Sequence, residues 1–185
     1  MRFEENKLIW PCKPDLFLNI DNVRQDTDQT VICKNIAICN EHGETSQIFK
    51  QGETVYFFHE WLVKVDLEVV SGGVEFHRED GLVIYGKNSF QYPGNAPKLV
   101  AAGDLLRFQH TVKLDVAAGR YFFSVGLAST DSKAYENYSE GIIGYELFHP
   151  ITHGRVESVS SFEVMHHKSG KLAHHGVCDL SGNGH

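Results

Sequence analysis

Residues 52–70 read GETVYFFHEWLVKVDLEVV, and this stretch decides the fold. Its apolar residues recur with a period of two, which is typical of a β-strand and not of a helix. The parity expected to face the core carries Val55, Phe57, His59, Trp61, Val63 and Val65. The other parity begins with Tyr56, Phe58 and Glu60, which is unusually aromatic for a solvated side. We therefore predict a long strand with a core face and an amphipathic outer face.

The rest of the chain continues the same alternation. Residues 72–90 form two β-rich runs around Asp80-Gly81, a strong hairpin signal because glycine allows a positive φ in a tight turn. Further strands are expected over residues 30–40, 104–116, 120–129, 156–165 and roughly 176–180. Eight or nine strands with no convincing helix between them predict an all-β fold, an antiparallel β-sandwich.

Two stretches do not fit this alternation. Residues 1–28 contain Trp10-Pro11 and Lys13-Pro14, which favours a linker or lead-in and leaves residues 29–185 as the β-domain. Residues 131–155 form the longest connection, and the spacing of Tyr135, Tyr138 and Ile142 there predicts one short helical turn. Loops of this length in compact domains are usually functional or mobile.

Composition limits the class of protein. A chain of 185 residues suggests one domain, at about 150 residues per domain. The net charge of −7 disfavours nucleic acid and anionic membranes as partners, because both are bound through basic patches. The apolar runs are too short to span a bilayer, and the acidic start predicts no secretory signal.

The cysteines predict free thiols. Cys12, Cys33, Cys39 and Cys178 form no CxxC pair, and a domain of this size needs no disulfide bridges. Small buried or half-buried thiols in a reducing compartment are therefore expected. Cys33 and Cys39 are six residues apart, so they should share a face if one strand carries both.

Several motifs resemble catalytic or metal sites without meeting their requirements. Residues 81–88, GLVIYGKN, nearly match a phosphate-binding loop, but the middle is strand-like, Asn88 replaces the hydroxyl and no helix follows. His166, His167, His174 and His175 lack the spacing of a metal site, so neither a metal nor another cofactor is expected. No GxSxG elbow is present, and scattered carboxylates do not by themselves define a glycosidase. We predict no enzyme activity.

The outward-facing residues of the strands suggest a binding surface. Sugars are bound by flat aromatic side chains against their C–H faces and by hydrogen-bonding groups around the hydroxyls, as in small-molecule sites generally. The candidate carbohydrate-binding residues are Tyr56, Phe58, Glu60, His77, Tyr85, Asn88, Arg107 and Gln109. An equally acceptable alternative is that the N-terminal segment or a second subunit covers Tyr56 and Phe58.

The order of the motifs resembles a known family. The segments are GETV (52–55), SGGV (71–74), YGKNSFQ (85–91), AGD (102–104), LRF (106–108), GRYFFSVGLA (119–128), SFEV (161–164) and HGVCDL (175–180). Together they are similar to the C-terminal carbohydrate-binding domain of Wzt, the ATP-binding subunit of O-antigen polysaccharide ABC exporters. The resemblance covers roughly residues 28–181.

The resemblance implies an immunoglobulin-like β-sandwich on the cytoplasmic side of the inner membrane. Such domains recognise the non-reducing end of a lipid-linked glycan, work with an ATPase domain and a membrane subunit, and tend to form homodimers. Some members exchange the C-terminal strand, which would be residues 172–181 here. The leading hypothesis is a non-catalytic module that binds a terminal sugar or terminal modification of the polysaccharide. The alternatives are an assembly module without a sugar site and a small glycan-modifying enzyme.

Overall fold

A computed structural model describes residues 10, 11, 13–92, 96, 98–166 and 176–178. The strands within these residues are β1 (Gln25–Thr27), β2 (Val31–Cys39), β3 (Ile48–Lys50), β4 (Thr54–Val63), β5 (Leu67–Glu68), β6 (Val70–Arg78), β7 (Val83–Asn88), β8 (Leu99–Val100), β9 (Leu105–Lys113), β10 (Gly119–Ser129) and β11 (Ile151–Met165). The helices are α1 (Ser132–Ser139) and three 3-10 turns, Pro14–Leu16, Ser89–Gln91 and Tyr145–Leu147. No helix in this part of the chain has the length and apolarity that crossing a bilayer requires.

The strands form two main sheets. The large sheet has the order β1-β11-β10-β6-β7, and β3 adds to β11 as a short parallel pair. The small sheet has the order β2-β4-β9, and both of its pairings are antiparallel. Strands β5 and β8 pair separately. The predicted antiparallel β-fold is confirmed, and the extra strands beyond the expected eight or nine are short ones.

The two sheets share one apolar core. Phe57 of the small sheet lies with its ring centroid 6.3 Å from Phe76, 5.1 Å from Phe123 and 5.9 Å from Phe162, all three on the large sheet. Trp61, four residues further along β4, is also fully buried in this core. The parity expected to face inward on β4 therefore does so over Val55–Val63. The immunoglobulin-like connectivity implied by the resemblance stays a prediction.

Local signals located most elements correctly. The hairpin of β6 and β7 turns at Asp80-Gly81, where Gly81 has φ +82°. The short helix expected near Tyr135 is α1, which Asp131 caps by accepting a hydrogen bond from the Ala134 amide at 2.8 Å. Gly141, with φ +72°, lies just beyond its end.

The expectation that Cys33 and Cys39 share a face is wrong. The register of β2 against β4 shifts between Cys33 and Asn35. One extra residue reverses the alternation beyond it. Cys33 consequently packs in the main core, whereas Cys39 packs with Ala37 on the opposite face of the small sheet. Both thiols are free and buried, and burial raises their pKa values, to about 12 for Cys33 and about 11 for Cys39.

The N-terminal segment packs on the domain, and only a short part of the C-terminal segment is described. Part of the expected lead-in is packed: Leu18, Ile20 and Val23 contact the main core, and β1 joins the edge of the large sheet. The division at residue 28 stays a prediction. At the other end, Cys178 pairs with Val116, while residues 172–175 and 179–181 lie outside the described residues.

Candidate functional site

The eight residues proposed from the sequence fall into two groups. Tyr56, Phe58 and Glu60 of β4 lie beside Arg107 and Gln109 of β9, because the register pairs Phe58 with Gln109 and Glu60 with Arg107. His77, Tyr85 and Asn88 belong to β6 and β7 of the other sheet. The structure therefore does not bring all eight together.

The N-terminal segment covers the outer face of the small sheet around Phe58. Trp10 packs its ring edge against Phe58, with centroids 5.6 Å apart and an interplanar angle of 84°, and Phe58 is only 3% exposed. The Arg107 guanidinium lies 5.0 Å from the Trp10 ring centroid, as in a cation–π contact. Phe17 extends this cover over the same cluster. Covering by the lead-in was the alternative left open by the sequence.

The Glu60 carboxylate is hydrogen-bonded to two neighbouring side chains of this face. Its carboxylate accepts hydrogen bonds from Arg107 Nε at 2.6 Å and from Asn35 Nδ2 at 2.7 Å, and the residue is 4% exposed. A buried carboxylate is stabilised by such charge-assisted bonds. Glu60 therefore has little capacity left for a ligand.

The second group is divided between the two faces of the large sheet. Tyr85 points inward, stacks on Phe76 at 5.1 Å and shares a hydroxyl hydrogen bond of 2.7 Å with Tyr92. Burial, followed by that hydrogen bond, raises the pKa of Tyr85. His77 lies on the outer face, where it stacks on Phe122 at 5.9 Å. Asn88 also lies on the outer face, at the border of an open groove.

This groove crosses the outer face of β6, β7, β10 and β11. Its volume is about 360 Å³. The lining residues are Gly73, Val74, Glu75, Gly86, Lys87, Asn88, Gln91, Ser124, Val125, Gly126, Tyr145, Thr152 and Arg155. Three are glycines on neighbouring strands, so part of the floor is bare backbone.

The register explains why the floor is bare. Gly73 of β6 pairs with Gly126 of β10 on one side and with Asn88 of β7 on the other. Gly126 in turn pairs with Arg155 of β11. One row across four strands therefore runs Asn88, Gly73, Gly126, Arg155, with side chains only at its two ends. A ligand can approach the backbone closely along such a row.

Polar side chains border this floor. Asn88 is held by the turn that follows β7: its Oδ1 accepts from the Phe90 amide at 3.1 Å, and its own amide donates to Gln91 Oε1 at 2.9 Å. Arg155 donates through Nη2 to Glu75 at 2.8 Å. These groups supply both donors and acceptors in fixed positions.

Tyr145 adds an aromatic surface to the border. It belongs to the 3-10 turn in the long connection after α1, it is 55% exposed, and its ring lies 6.4 Å from that of Tyr138. An exposed tyrosine presents a flat apolar ring and a hydroxyl to the same ligand. The groove thus combines bare backbone, hydrogen-bonding groups and one ring.

Ser129, His153 and Asp28 form a second polar constellation. Ser129 Oγ lies 2.7 Å from His153 Nε2, and His153 Nδ1 lies 2.7 Å from Asp28 Oδ2, which is the connectivity of a catalytic triad. Ser129 is 7% exposed and does not line the groove, while Asp28 lies nearer the surface. A nucleophile must be accessible to its substrate, but here the serine is buried and the carboxylate lies nearer the surface. The three residues are therefore better explained as a structural clasp between the β1–β2 turn and β11.

Metal binding has no support in the described residues. No group of three or more His, Cys, Asp or Glu side chains there is placed to hold a metal ion. Of the four clustered histidines near the C-terminus, only His166 lies among the described residues.

Of the residues that line the groove, only Asn88 is among the eight expected from the sequence. Tyr145 and Arg155 lie in or at the end of the long connection over 131–155, which was singled out by length and not by residue type. The sequence pattern places the glycines on separate strands. Only the pairing register reveals that they form one row.

Fold and groove together define a class: an antiparallel two-sheet β-domain with a shallow polar groove on one outer face. The sequence model of the Wzt C-terminal domain matches residues 23–180. The chain belongs to the Wzt C-terminal domain family.

One solved structure agrees with this assignment at the level of the fold. The chain is similar to the crystal structure of the C-terminal domain of Wzt, with 19% identity, a TM-score of 0.67 and 89% of each chain covered. A weaker similarity is to a Niemann-Pick type C2 protein from Japanese carpenter ant, with 11% identity, a TM-score of 0.43, 77% of this chain and 98% of that chain covered. No curated protein sequence matches the chain.

Proposed function

We propose that this domain is a non-catalytic module that binds the non-reducing terminus of a lipid-linked O-antigen polysaccharide in the groove of the large sheet. Binding would present the finished glycan for export by an ABC transporter. Family membership supports a role in O-antigen export, and the groove supports a carbohydrate ligand. The row of Gly73 and Gly126 between Asn88 and Arg155 is the observation that carries the assignment.

The bare floor suits a flat ligand with many hydroxyls. A sugar ring laid across Gly73 and Gly126 meets no side chain beneath it, so its hydroxyls can reach the polar groups at both ends of the row. Tyr145 offers a ring to an apolar sugar face from the α1 side. A ligand site of this kind takes orientation from a few placed polar groups and affinity from buried area.

The open shape favours recognition over catalysis. Glu75 is the carboxylate that lines the groove, and it is bound to Arg155 at 2.8 Å. Glycoside hydrolysis requires two carboxyl groups facing each other across the scissile bond. A shallow site with one engaged carboxylate is better suited to binding without turnover.

Family membership supports the proposed partners. An ATPase domain and a membrane subunit of the same transporter would position the domain on the cytoplasmic side of the inner membrane. A homodimer would present two grooves to a multivalent surface and raise the apparent affinity through effective concentration. Single-site affinities for a terminal sugar are then expected in the micromolar to millimolar range.

Isothermal titration calorimetry tests this function. The purified chain is titrated with the O-polysaccharide of its source strain, with the intact terminus and with the terminus removed by enzymatic or chemical trimming. The proposal expects saturable binding of the intact glycan without cofactor or consumption, and a clear loss after trimming. Equal affinity for both forms, or no binding of either, contradicts it.

The competing function is a pure assembly module. Its support is the presence of three exposed aliphatic residues in or next to the long connection, Ile142, Leu147 and Ile151, with exposed fractions of 66%, 63% and 64%. Analytical ultracentrifugation of the chain with and without residues 172–185 distinguishes the two. A dimer that is lost on truncation, together with failure to bind glycan in the intact chain, would favour assembly.

A further inference from the structure

Arg155 is the cation that the structure directs to the groove floor, and it is doubly engaged. Its Nη2 donates to Glu75 at 2.8 Å and its Nε donates to Glu157 at 3.1 Å. Two carboxylates therefore hold one guanidinium in a fixed plane. The positive charge is balanced before any ligand arrives.

Two other cations lie nearby, Lys87 at the border of the groove and Arg24, and each has a partner of its own. Lys87 lies on the inward parity of β7, and its ammonium sits 5.4 Å from the Tyr92 ring centroid. Arg24 is tied to Asp26, the cross-strand neighbour of Arg155, at 3.1 Å. Around Arg155 the carboxylates outnumber the available cations.

We propose that the groove selects an uncharged, hydroxyl-bearing sugar terminus and rejects a terminus carrying phosphate or carboxylate. This inference rests on the proposed function and names the class of glycan terminus. Arg155 would donate its remaining N–H groups to sugar hydroxyls, while Glu75 would accept from them. An anionic substituent would have to displace Glu75 from Arg155 and lie beside two carboxylates. Such like-charge placement is a strong means of excluding a wrong ligand.

Nuclear magnetic resonance titration of the ¹⁵N-labelled chain tests the inference. The probes are methyl glycosides of several hexoses, the matching hexuronic acids and hexose 6-phosphates, and inorganic phosphate, each up to tens of millimolar. The readout is the amide shift of Gly73, Gly86 and Gly126. We expect neutral glycosides to shift these amides and their anionic counterparts to bind roughly tenfold more weakly or worse.

A charge-neutralising variant sharpens the test. Glu75→Gln combined with Glu157→Gln keeps the shape but frees the charge of Arg155, and it should bring anionic probes close to the affinity of the neutral ones. Glu53→Gln removes a carboxylate from an exposed ion pair with Lys50 elsewhere and should leave selectivity unchanged.

The possible outcomes separate two failures. Anionic probes that shift the groove glycines as strongly as neutral ones, or more strongly, overturn the selectivity while leaving glycan binding intact. If no sugar shifts these glycines at all, both the proposed function and the selectivity are contradicted.

Discussion

Gly73 of β6 lies directly opposite Gly126 of β10 at the centre of the large sheet's outer face. Neither backbone has the positive φ that would itself demand glycine. Because strand interiors gain stability from larger side chains, two paired glycines there weaken the sheet. This loss of sheet stability is explained if a ligand must occupy the space above the two glycines.

Filling this space should abolish binding without unfolding the domain. A Cβ added at Gly126 would meet only the Gly154 carbonyl oxygen, at the ordinary contact distance of 3.4 Å, and valine suits a strand, so Gly126→Val is the variant of choice. We expect glycan affinity to fall by at least about tenfold, or about 1.4 kcal/mol, with an unchanged or higher melting temperature. Calorimetry and thermal unfolding measure the two effects.

The matched control for that variant is Thr111→Val, an exposed position on β9 of the other sheet. It introduces the same side chain on a strand and should leave glycan affinity unchanged. If Gly126→Val binds glycan as tightly as the unmodified chain, the sugar does not lie on this floor.

The covered face of the small sheet should matter for stability and not for binding. Trp10→Ala would expose Phe58 and remove the contact with Arg107. Because Trp10 is only partly buried, we expect a loss of about 2 kcal/mol in the free energy of unfolding, below the range for a fully buried tryptophan. Denaturant titration gives the stability, and calorimetry gives the affinity.

The same experiment on Arg107→Ala separates the two faces. If glycan binding depends on the residues first proposed from the sequence, this variant loses affinity while remaining folded. If binding occurs in the groove, its affinity equals that of the unmodified chain.

Acid should destabilise the domain through two buried histidines. His59 and His110 stack in parallel, with centroids 5.3 Å apart, and Phe108 also stacks on His59, at 5.1 Å. Trp61 Nε1 donates to His59 Nδ1 at 2.7 Å, which requires that nitrogen to be unprotonated. Burial lowers the pKa of His110 from 6.5 to about 4, and burial together with the neighbouring His110 lowers the pKa of His59.

The domain should lose stability as the pH falls. Unfolded histidines take up protons near pH 6.5 while the folded pair does not, so the free energy of unfolding falls as the pH drops from 6.5 towards about 4. His110 alone would contribute about 3 kcal/mol over this range. Denaturant midpoints measured from pH 7.5 to 4.5 test it, with His110→Phe as the comparison. An equally steep decline in that variant would show that His110 is not responsible.

The Ser129–His153–Asp28 clasp should be structural. Asp28→Ala and Ser129→Ala each remove a partner of His153 and should lower the free energy of unfolding by about 1–3 kcal/mol, because a buried polar group loses a hydrogen bond. Hydrolysis of p-nitrophenyl acetate by the unmodified chain that disappears in Ser129→Ala would instead show that the triad is reactive.

The sequence was sufficient for features set by neighbouring residues. The β6–β7 hairpin follows from Asp80-Gly81, and β4 follows from its alternation, because both signals act within a few residues. The antiparallel sheets then follow from strand order and the lack of crossover helices.

Features that depend on distant pairing could not be predicted. Nothing in the alternation of β6 or β10 alone shows that Gly73 meets Gly126, since the register between strands decides it. The bulge after Cys33 changes the face of Cys39 by one inserted residue. The same limit applies to Trp10, whose docking on Phe58 is a contact between segments far apart in sequence.

The most direct measurement is the location of a bound glycan on the labelled chain. Amide shifts on adding the O-polysaccharide terminus should be largest for Gly73, Gly86 and Gly126, with the Tyr145 and Arg155 signals moving next. Small or no changes are expected at Phe58 and Arg107. Shifts concentrated at those two residues, with the three glycines unmoved, would contradict a sugar site in the groove.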